Sequence, residues 1–437
     1  MERRVSDMSQ TFRRGVAFPH NVEKKELTAG LPPEAFQPCR VVIPLRQGFG
    51  EACLPVVEPG QAVKAGQMVG RPADALAVPV HCGISGKVTA LESRPTLAGE
   101  CLCVEVENDF SGAAAPPLSH AEDRAGLIAL MREAGIVGMG GAGFPAFKKY
   151  ETDKPIRQVL VNGCECEPYL TCDDVLMTHY PDRIVQGAAA LGRAAGDAEV
   201  LVCIEDNKPD AVAALRAAVK GSGVQVLPLP DRYPQGGERQ LIQAVTGREV
   251  PAGGLPADCG VIVSNVATAA AMADALKGKP LTHRLITVSG RVARPANVLA
   301  PVGTLFSDLL GFCGGEAEAS SPLRVIAGGP MTGLNMDRLD VPMTKVSGGL
   351  VLLPPPPLTE YNCIHCGACS RVCPSRLIPF AIDASVIAGD MAACADYHAE
   401  QCIACGCCTY VCPAKRFLAT RVSLARTGVL RRRRAAN

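Results

Sequence analysis

The segments Cys363-Ile-His-Cys-Gly-Ala-Cys-Ser-Arg-Val-Cys-Pro374 and Cys402-Ile-Ala-Cys-Gly-Cys-Cys-Thr-Tyr-Val-Cys-Pro413 repeat one spacing, Cys-x2-Cys-x2-Cys-x3-Cys-Pro. Three thiolates on one tight turn hold three corners of a 4Fe-4S cubane, and in this spacing the fourth ligand comes from the other run. The pattern predicts two ligand sets: Cys363, Cys366, Cys369 and Cys412 for one cluster, and Cys402, Cys405, Cys408 and Cys373 for the other. Pro374 and Pro413 fix φ and keep the following helix from absorbing the remote ligand. Structural zinc also uses paired Cys-x2-Cys, but zinc has no use for a fourth cysteine three residues on. Cys407, between ligands, reads as a small packing residue. The C-terminal part of this chain is built to move electrons.

The remainder of the composition narrows the class. A chain of 437 residues with 48% hydrophobic content is long enough for two to four domains with real cores. The formal charge of +1 removes the case for a general nucleic-acid-binding surface. Arg431 to Arg434 is the only basic run, and such runs usually mark a solvated, disordered end. The 21 cysteines would suggest disulfides in a secreted protein, but Met1 to Asp7 lack the apolar core of a signal peptide, so a reducing compartment is expected. No stretch is long and apolar enough to span a bilayer; Ile184 to Ala195 is too short and is broken by Arg193. With no Trp and 4% aromatics, carbohydrate or stacked-base recognition is disfavoured.

Four parts follow from the patterning. Residues 1–110 contain short β-branched runs between glycine turns from Val41 to Val106, a small β domain. It resembles the barrel-sandwich module of biotinyl and lipoyl carriers, but Arg71-Pro-Ala-Asp-Ala-Leu stands where a carrier presents its modifiable lysine, so a docking or structural barrel is expected. Ser111 to Pro117 reads as a linker. In residues 118–282, strand-like runs (Gln158 to Asn162, Glu199 to Ile204) alternate with helical ones (Asp210 to Ala218, Ala267 to Leu276), which predicts an α/β domain on a largely parallel sheet. Residues 283–345, with Leu285 to Gly290, a short helix over Leu305 to Leu310 and Leu323 to Gly329, read as a β-grasp insert. Pro354 to Pro357 form a stiff spacer before the cluster domain, residues 354–425.

Within the α/β part, Gly138-Met-Gly-Gly-Ala-Gly-Phe-Pro145 places four glycines in six positions ahead of Lys148 and Lys149. Backbone without side chains lets several N–H groups converge on a phosphate, with lysine as countercharge. The run Gln158 to Val161 ends in Asn162-Gly-Cys-Glu-Cys-Glu-Pro-Tyr169, at the strand end where α/β sheets bind ligands. If that segment stays extended, Glu165 and Glu167 face the same way and accept hydrogen bonds from a ligand in one cleft. Cys164 and Cys166, one residue apart, make a poor set of cubane corners.

Taken with Tyr233-Pro-Gln-Gly-Gly-Glu238 and Asn265-Val-Ala-Thr268, these motifs resemble the FMN- and NADH-binding subunit of respiratory complex I. With a barrel-sandwich module before and a two-cluster ferredoxin domain after, residues 12–420 resemble the family of C subunits of Rnf-type ion-translocating ferredoxin:NAD oxidoreductases. The resemblance implies FMN held by Gly138, Gly140, Gly141 and Lys148, by Asn162, Glu165 and Glu167, and by Gly236, Gly237, Glu238 and Asn265. Phe144 and Glu167 are implied to meet NAD(H), and no residue is assigned as acid or base. Cys164 stands where the complex I pattern has an acid, and Glu238 is alone where that pattern has two. The resemblance implies an electron-transfer component of an enzyme complex, at the cytoplasmic face of a bacterial inner membrane. Its implied partners are the membrane-embedded subunits of the complex and an iron-sulfur subunit linked to ferredoxin, with the barrel or the arginine tail as docking surface. A flavin and iron-sulfur cobalamin reductase, and a non-catalytic electron relay, are the alternatives.

Overall fold

A computed structural model of the chain describes residues 11–317 and 322–436, so the stretch from Met1 to Asp7 lies outside the described residues. The barrel is two small antiparallel sheets. Arg40–Pro44, Gly99–Asn108, Gly86–Thr96 and Ala62–Val63 form one; Leu54–Pro55, Met68–Arg71 and Val80–His81 form the other. Alternating residues such as Val41, Ile43, Val104 and Val106 point inward and are fully buried. Where a carrier would present its lysine, Asp74 instead accepts from the amides of Glu51 (3.0 Å), Leu76 (2.9 Å) and Ala77 (2.6 Å), closing the turn on itself.

The α/β domain has four parallel strands in the order Val224–Leu229, Glu199–Glu205, Gln158–Gly163, Val261–Asn265. Helices Pro181–Ala194 and Val266–Leu276 pack against the sheet and each other. Close packing there needs Gly187, because a Cβ would sit 1.7 Å from the Ala269 carbonyl. The strand order reverses at Gln158–Gly163: the chain first builds two strands on one side of it, then returns to place Val261–Asn265 on the other. A crevice opens at such a reversal beyond the carboxyl ends of the strands. Asn162 and Asn265, paired in register, stand at its lip.

The β-grasp part is a six-stranded mixed sheet around Phe306–Phe312. It reaches past the expected boundary at residue 345, because Gly349–Leu353 is a central strand between His283–Gly290 and Arg324–Ala327. Glu34–Ala35, before the barrel, supplies its edge. The cluster domain is short helices packed on Leu418–Ala436. Arg431 to Arg434 are the last turns of that helix, with Arg433 donating to Glu400 (2.9 Å), so the expected disordered end is instead helical. Among the described residues no helix is long and apolar enough to cross a membrane.

Candidate functional site

The two cysteine runs fold as copies of one turn. In each, the residues two and four places after the first cysteine take positive φ: His365 (54°) and Gly367 (71°), Ala404 (56°) and Gly406 (79°). This backbone curls amides inward, so that His365 N lies 3.4 Å from the Cys363 sulfur and Ala404 N 3.3 Å from that of Cys402. Cys363, Cys366, Cys369 and Cys412 line one cavity, partly open to solvent, with Phe380 and Leu418. Cys402, Cys405, Cys408 and Cys373 line a second, together with Cys407. Each cavity thus draws its fourth cysteine from the other run, and its soft thiol donors and inward amides fit a 4Fe-4S cluster. Cys366 is exposed at the first cavity; Cys407 is fully buried beside the second, against Val16 and Tyr233.

At the sheet crevice the glycine loop is pinned at its ends and open in the middle. Gly138 N donates to the Phe144 carbonyl (2.8 Å) and Met139 N to the Thr268 hydroxyl (3.1 Å), which seats the loop over the N-terminus of Val266–Leu276. The amides of Gly140, Gly141, Ala142 and Gly143 have no protein acceptor among the described residues. A Cβ at Gly140 would press within 3.0 Å of the Asn265 amide, whereas at Gly141 it would project into open space. Unpaired amides beside a helix N-terminus suit a phosphate, so the loop fits the phosphate end of FMN. Asn265 caps the helix through Ala267 N (2.8 Å) and donates to Asp173 (2.7 Å). Asn162 donates to the Gly236 carbonyl (2.8 Å), tying the turn Tyr233 to Glu238 over the crevice, and Gly236 admits no side chain there, because a Cβ would lie 2.3 Å from the Cys164 carbonyl.

The two carboxylates do not share a cleft. The strand ends at Gly163, and the ammonium of Lys25, far earlier in the chain, draws in the carbonyls of Glu165 (2.7 Å), Glu167 (2.8 Å) and Leu170 (2.7 Å). In the loop so formed, Glu165 turns to the N-terminus of helix Cys172–His179, accepting from Asp173 N (3.0 Å) and Asp174 N (3.2 Å). Glu167 turns to the β-grasp loop, accepting from Met331 N (3.1 Å) and the Thr332 hydroxyl, and burial raises its carboxyl above the ordinary range. Asp173, buried beside Glu165, is raised to about 6 by burial and then by that neighbouring charge, and its Oδ1 is unpartnered.

Of the two lysines, Lys148 pairs with Glu151 (2.8 Å). It is Lys149 that reaches the crevice, donating to Glu238 (3.0 Å) and to the carbonyl of Val263 (2.9 Å). Phe144 meets a partner from the barrel, the half-exposed Phe49, with ring centroids 5.4 Å apart. Cys164 is buried, its carbonyl under Gly236. Lys25 and Asp173 are the residues that sequence reasoning did not single out, and Lys149 was named beside Lys148 without being preferred to it. Only Asp173 left a local trace, as an acid in the first turn of a helix.

Residues 10–111 match the family described as the RnfC barrel sandwich hybrid domain. Residues 131–274 match the Nuo51 FMN-binding domain, 285–335 the SLBB domain and 362–415 the 4Fe-4S dicluster domain. The chain is 40% identical to the C subunit of the Na(+)-translocating ferredoxin:NAD(+) oxidoreductase complex of Acetobacterium woodii, over 98% of this chain and 99% of that one. It is also 40% identical to the proton-translocating counterpart of Clostridium ljungdahlii, over 85% and 83%. The C subunit of the ion-translocating oxidoreductase complex of Pseudomonas aeruginosa is again 40% identical, over 84% of this chain but 49% of that longer one. Among solved structures, an NAD+-reducing [NiFe]-hydrogenase in the H2-reduced state shares the fold, with a TM-score of 0.51, 19% identity, and coverage of 71% and 62% of the two chains.

Proposed function

This chain belongs to the family of C subunits of ion-translocating ferredoxin:NAD(+) oxidoreductase complexes, and we propose that it is the peripheral module through which such a complex passes electrons between 4Fe-4S clusters and NAD(H) by way of bound FMN. It works at the cytoplasmic face of a bacterial inner membrane, where membrane-embedded subunits and an iron-sulfur subunit serving ferredoxin are its partners. That it has no helix fit to cross a bilayer, among the described residues, accords with a peripheral place.

Bound FMN exchanges hydride with nicotinamide as an electron pair and exchanges single electrons with clusters. The chain's own part is to bind and orient. The open amides of the glycine loop take the phosphate, with Gly138, Gly140 and Gly141 keeping side chains out of its way. Asn162 and Asn265 hold the lip of the crevice, while Lys149 and Glu238 bound its far side. Glu165 acts at one remove, capping the helix whose Asp173 holds Asn265. The eight paired cysteines hold the clusters in the crossed arrangement.

The observation that carries the reading is the seating of the second cysteine cavity against the turn that closes the flavin crevice. At Gly236 that turn meets Asn162, and at Tyr233 it meets Cys405. Three residues of chain span at most roughly 11 Å, so the crevice and the second cavity are near neighbours and the first cavity, with its exposed Cys366, is the outer one. The open amides of the glycine loop weigh against a relay whose nucleotide site has decayed. The test is anaerobic reconstitution with iron, sulfide and FMN. About eight irons and one FMN per chain, with flavin bleaching on addition of NADH, support the reading; full clusters without FMN sink it.

A further inference from the structure

The carbonyl of the second cysteine of each run accepts one side-chain hydrogen bond, and the two donors differ. In the first run the donor is local: Arg371 Nη1 lies 2.8 Å from the Cys366 carbonyl. In the second run the equivalent Cys405 carbonyl accepts from the hydroxyl of Tyr233, 2.7 Å away, a residue of the flavin domain. Tyr410 occupies the place that Arg371 has in the first run, and its ring packs instead on Phe18, at 5.0 Å.

The Tyr233 side chain is only 3% exposed and is held from several directions. Its backbone pairs both ways with Val16, at 2.9 and 2.8 Å. Its ring lies 5.2 Å from that of Phe18. The same N-terminal strap is stitched to the cluster domain, with Gly15 N on the Val372 carbonyl (2.9 Å) and Arg14 on that of Ser370 (2.9 Å). Gly15, at φ +77°, admits no side chain, because a Cβ would lie 2.4 Å from the Tyr233 carbonyl. On the other flank, the Met331 carbonyl lies under Gly406, and Met331 N is bound by Glu167.

We propose that Tyr233 is a positioning residue for the second cluster: its hydroxyl, held on the Cys405 carbonyl, fixes the Cys405–Gly406 loop against the flavin domain and places the partial positive charge of its proton beside the cluster, making this cluster easier to reduce. The inference rests on the function proposed above. A partial positive charge beside a cluster, in a water-poor site, stabilises its more negative, reduced form and so raises its potential. If the whole of a neutral hydrogen bond of about 1 kcal/mol were felt only by the reduced cluster, its loss would change the reduction equilibrium about fivefold, or about 40 mV at 59 mV per decade for one electron, which is the ceiling on the shift.

The experiment is an EPR-monitored redox titration of the full reconstituted chain, wild type against Tyr233→Phe. The expected result is unchanged iron and FMN content, a second-cluster midpoint lowered by up to that amount, and an unmoved first cluster. Arg371→Met should do the reverse, lowering only the first. Midpoints that match wild type, or that fall together in Tyr233→Phe, overturn the proposal. Should Tyr233→Phe fail to assemble its second cluster, fluorotyrosine incorporation, which keeps the ring and makes the hydroxyl a stronger donor, should raise only the second midpoint, and an unmoved second midpoint overturns the proposal. Flavin bleaching by NADH in the wild type reports separately on the underlying function, so the two failures are distinguishable.

Discussion

Lys345 lies where the barrel, the flavin domain and the β-grasp part meet, and replacing it with methionine should change how the protein responds to pH. The side chain is 1% exposed and meets no carboxylate; its ammonium donates to the carbonyls of Pro79 and Gly135, both at 2.8 Å. Burial without a counter-charge pulls its pKa from 10.5 down to about 7, with the Cys53 thiol opposing slightly. Because the folded value is the lower one, the unfolded chain holds the extra proton between pH 7 and 10. Stability therefore rises with pH across that window, and the penalty is complete below it. At 1.36 kcal/mol per pH unit, the cost of folding this lysine is on the order of 4 kcal/mol at pH 7 and about 2 at pH 9. Lys345→Met escapes the charge penalty but leaves two carbonyls unpaired, a cost of about 1–3 kcal/mol each. The wild type should thus gain about 2 kcal/mol on the variant between pH 7 and 9, roughly 2 °C in Tm at about 1 °C per kcal/mol for a chain of this length. Circular dichroism is the assay, since the chain has no Trp. The buried thiol Cys82, pushed up to about 11, opposes the trend in both proteins and cancels; Cys53, also near 11 and held down slightly by the Lys345 charge, rises further in the variant, which adds to the wild type's relative gain; and His81, held down near 3, stays neutral. Melting curves that shift in parallel from pH 7 to 9 would refute the reasoning.

Three further outcomes are expected. Cys412→Ser should lose about four irons with the spectrum of Cys366→Ser, and Cys373→Ser should match Cys405→Ser; pairing by sequence run instead of by cavity would refute the crossed sets. Asp173→Asn should raise Tm at pH 8 and leave it unchanged near pH 4, because an acid raised to about 6 costs stability as pH climbs from 3.8 through 6; an equal effect at both values would contradict the burial argument. Lys208→Met strands the fully buried Glu205 and should cost about 3–5 kcal/mol, most of it recovered in the double variant with Glu205→Gln; calorimetry of the four proteins closes the cycle.

What could be read from the chain followed how local its cause is. The crossed cysteine cavities depend on spacing within a dozen residues, and the four parallel strands on short apolar runs, so both were legible. The parting of Glu165 and Glu167 was not, because it is made by Lys25, some 140 residues earlier, which bends a segment expected to stay extended. The same holds for Lys149, whose direction is set by Glu238 and Val263 and not by its neighbour in sequence. Gly349–Leu353 was hidden for another reason: it lies next to a proline block that reads as a spacer, and only pairing on both edges makes it a central strand. The arginine tail misled by composition, since the helix it finishes is held by packing from Val422, Ala425 and Val429, upstream of the charges.

The order of the clusters is a further property that spacing cannot supply. The two runs share their cysteines, their prolines and their positive-φ positions, so as ligand sets they are equivalent. Of the four places where they differ, two decide the packing: Ala368 and Arg371 in the first run, Cys407 and Tyr410 in the second. A small buried thiol and an aromatic ring make a surface onto which the strap and Tyr233 can close without water. An arginine at the same place keeps its guanidinium on its own turn and leaves that run facing outward. The inner and outer ends of the electron path are thus set by four side chains that ligate nothing, together with a strap from the opposite end of the chain.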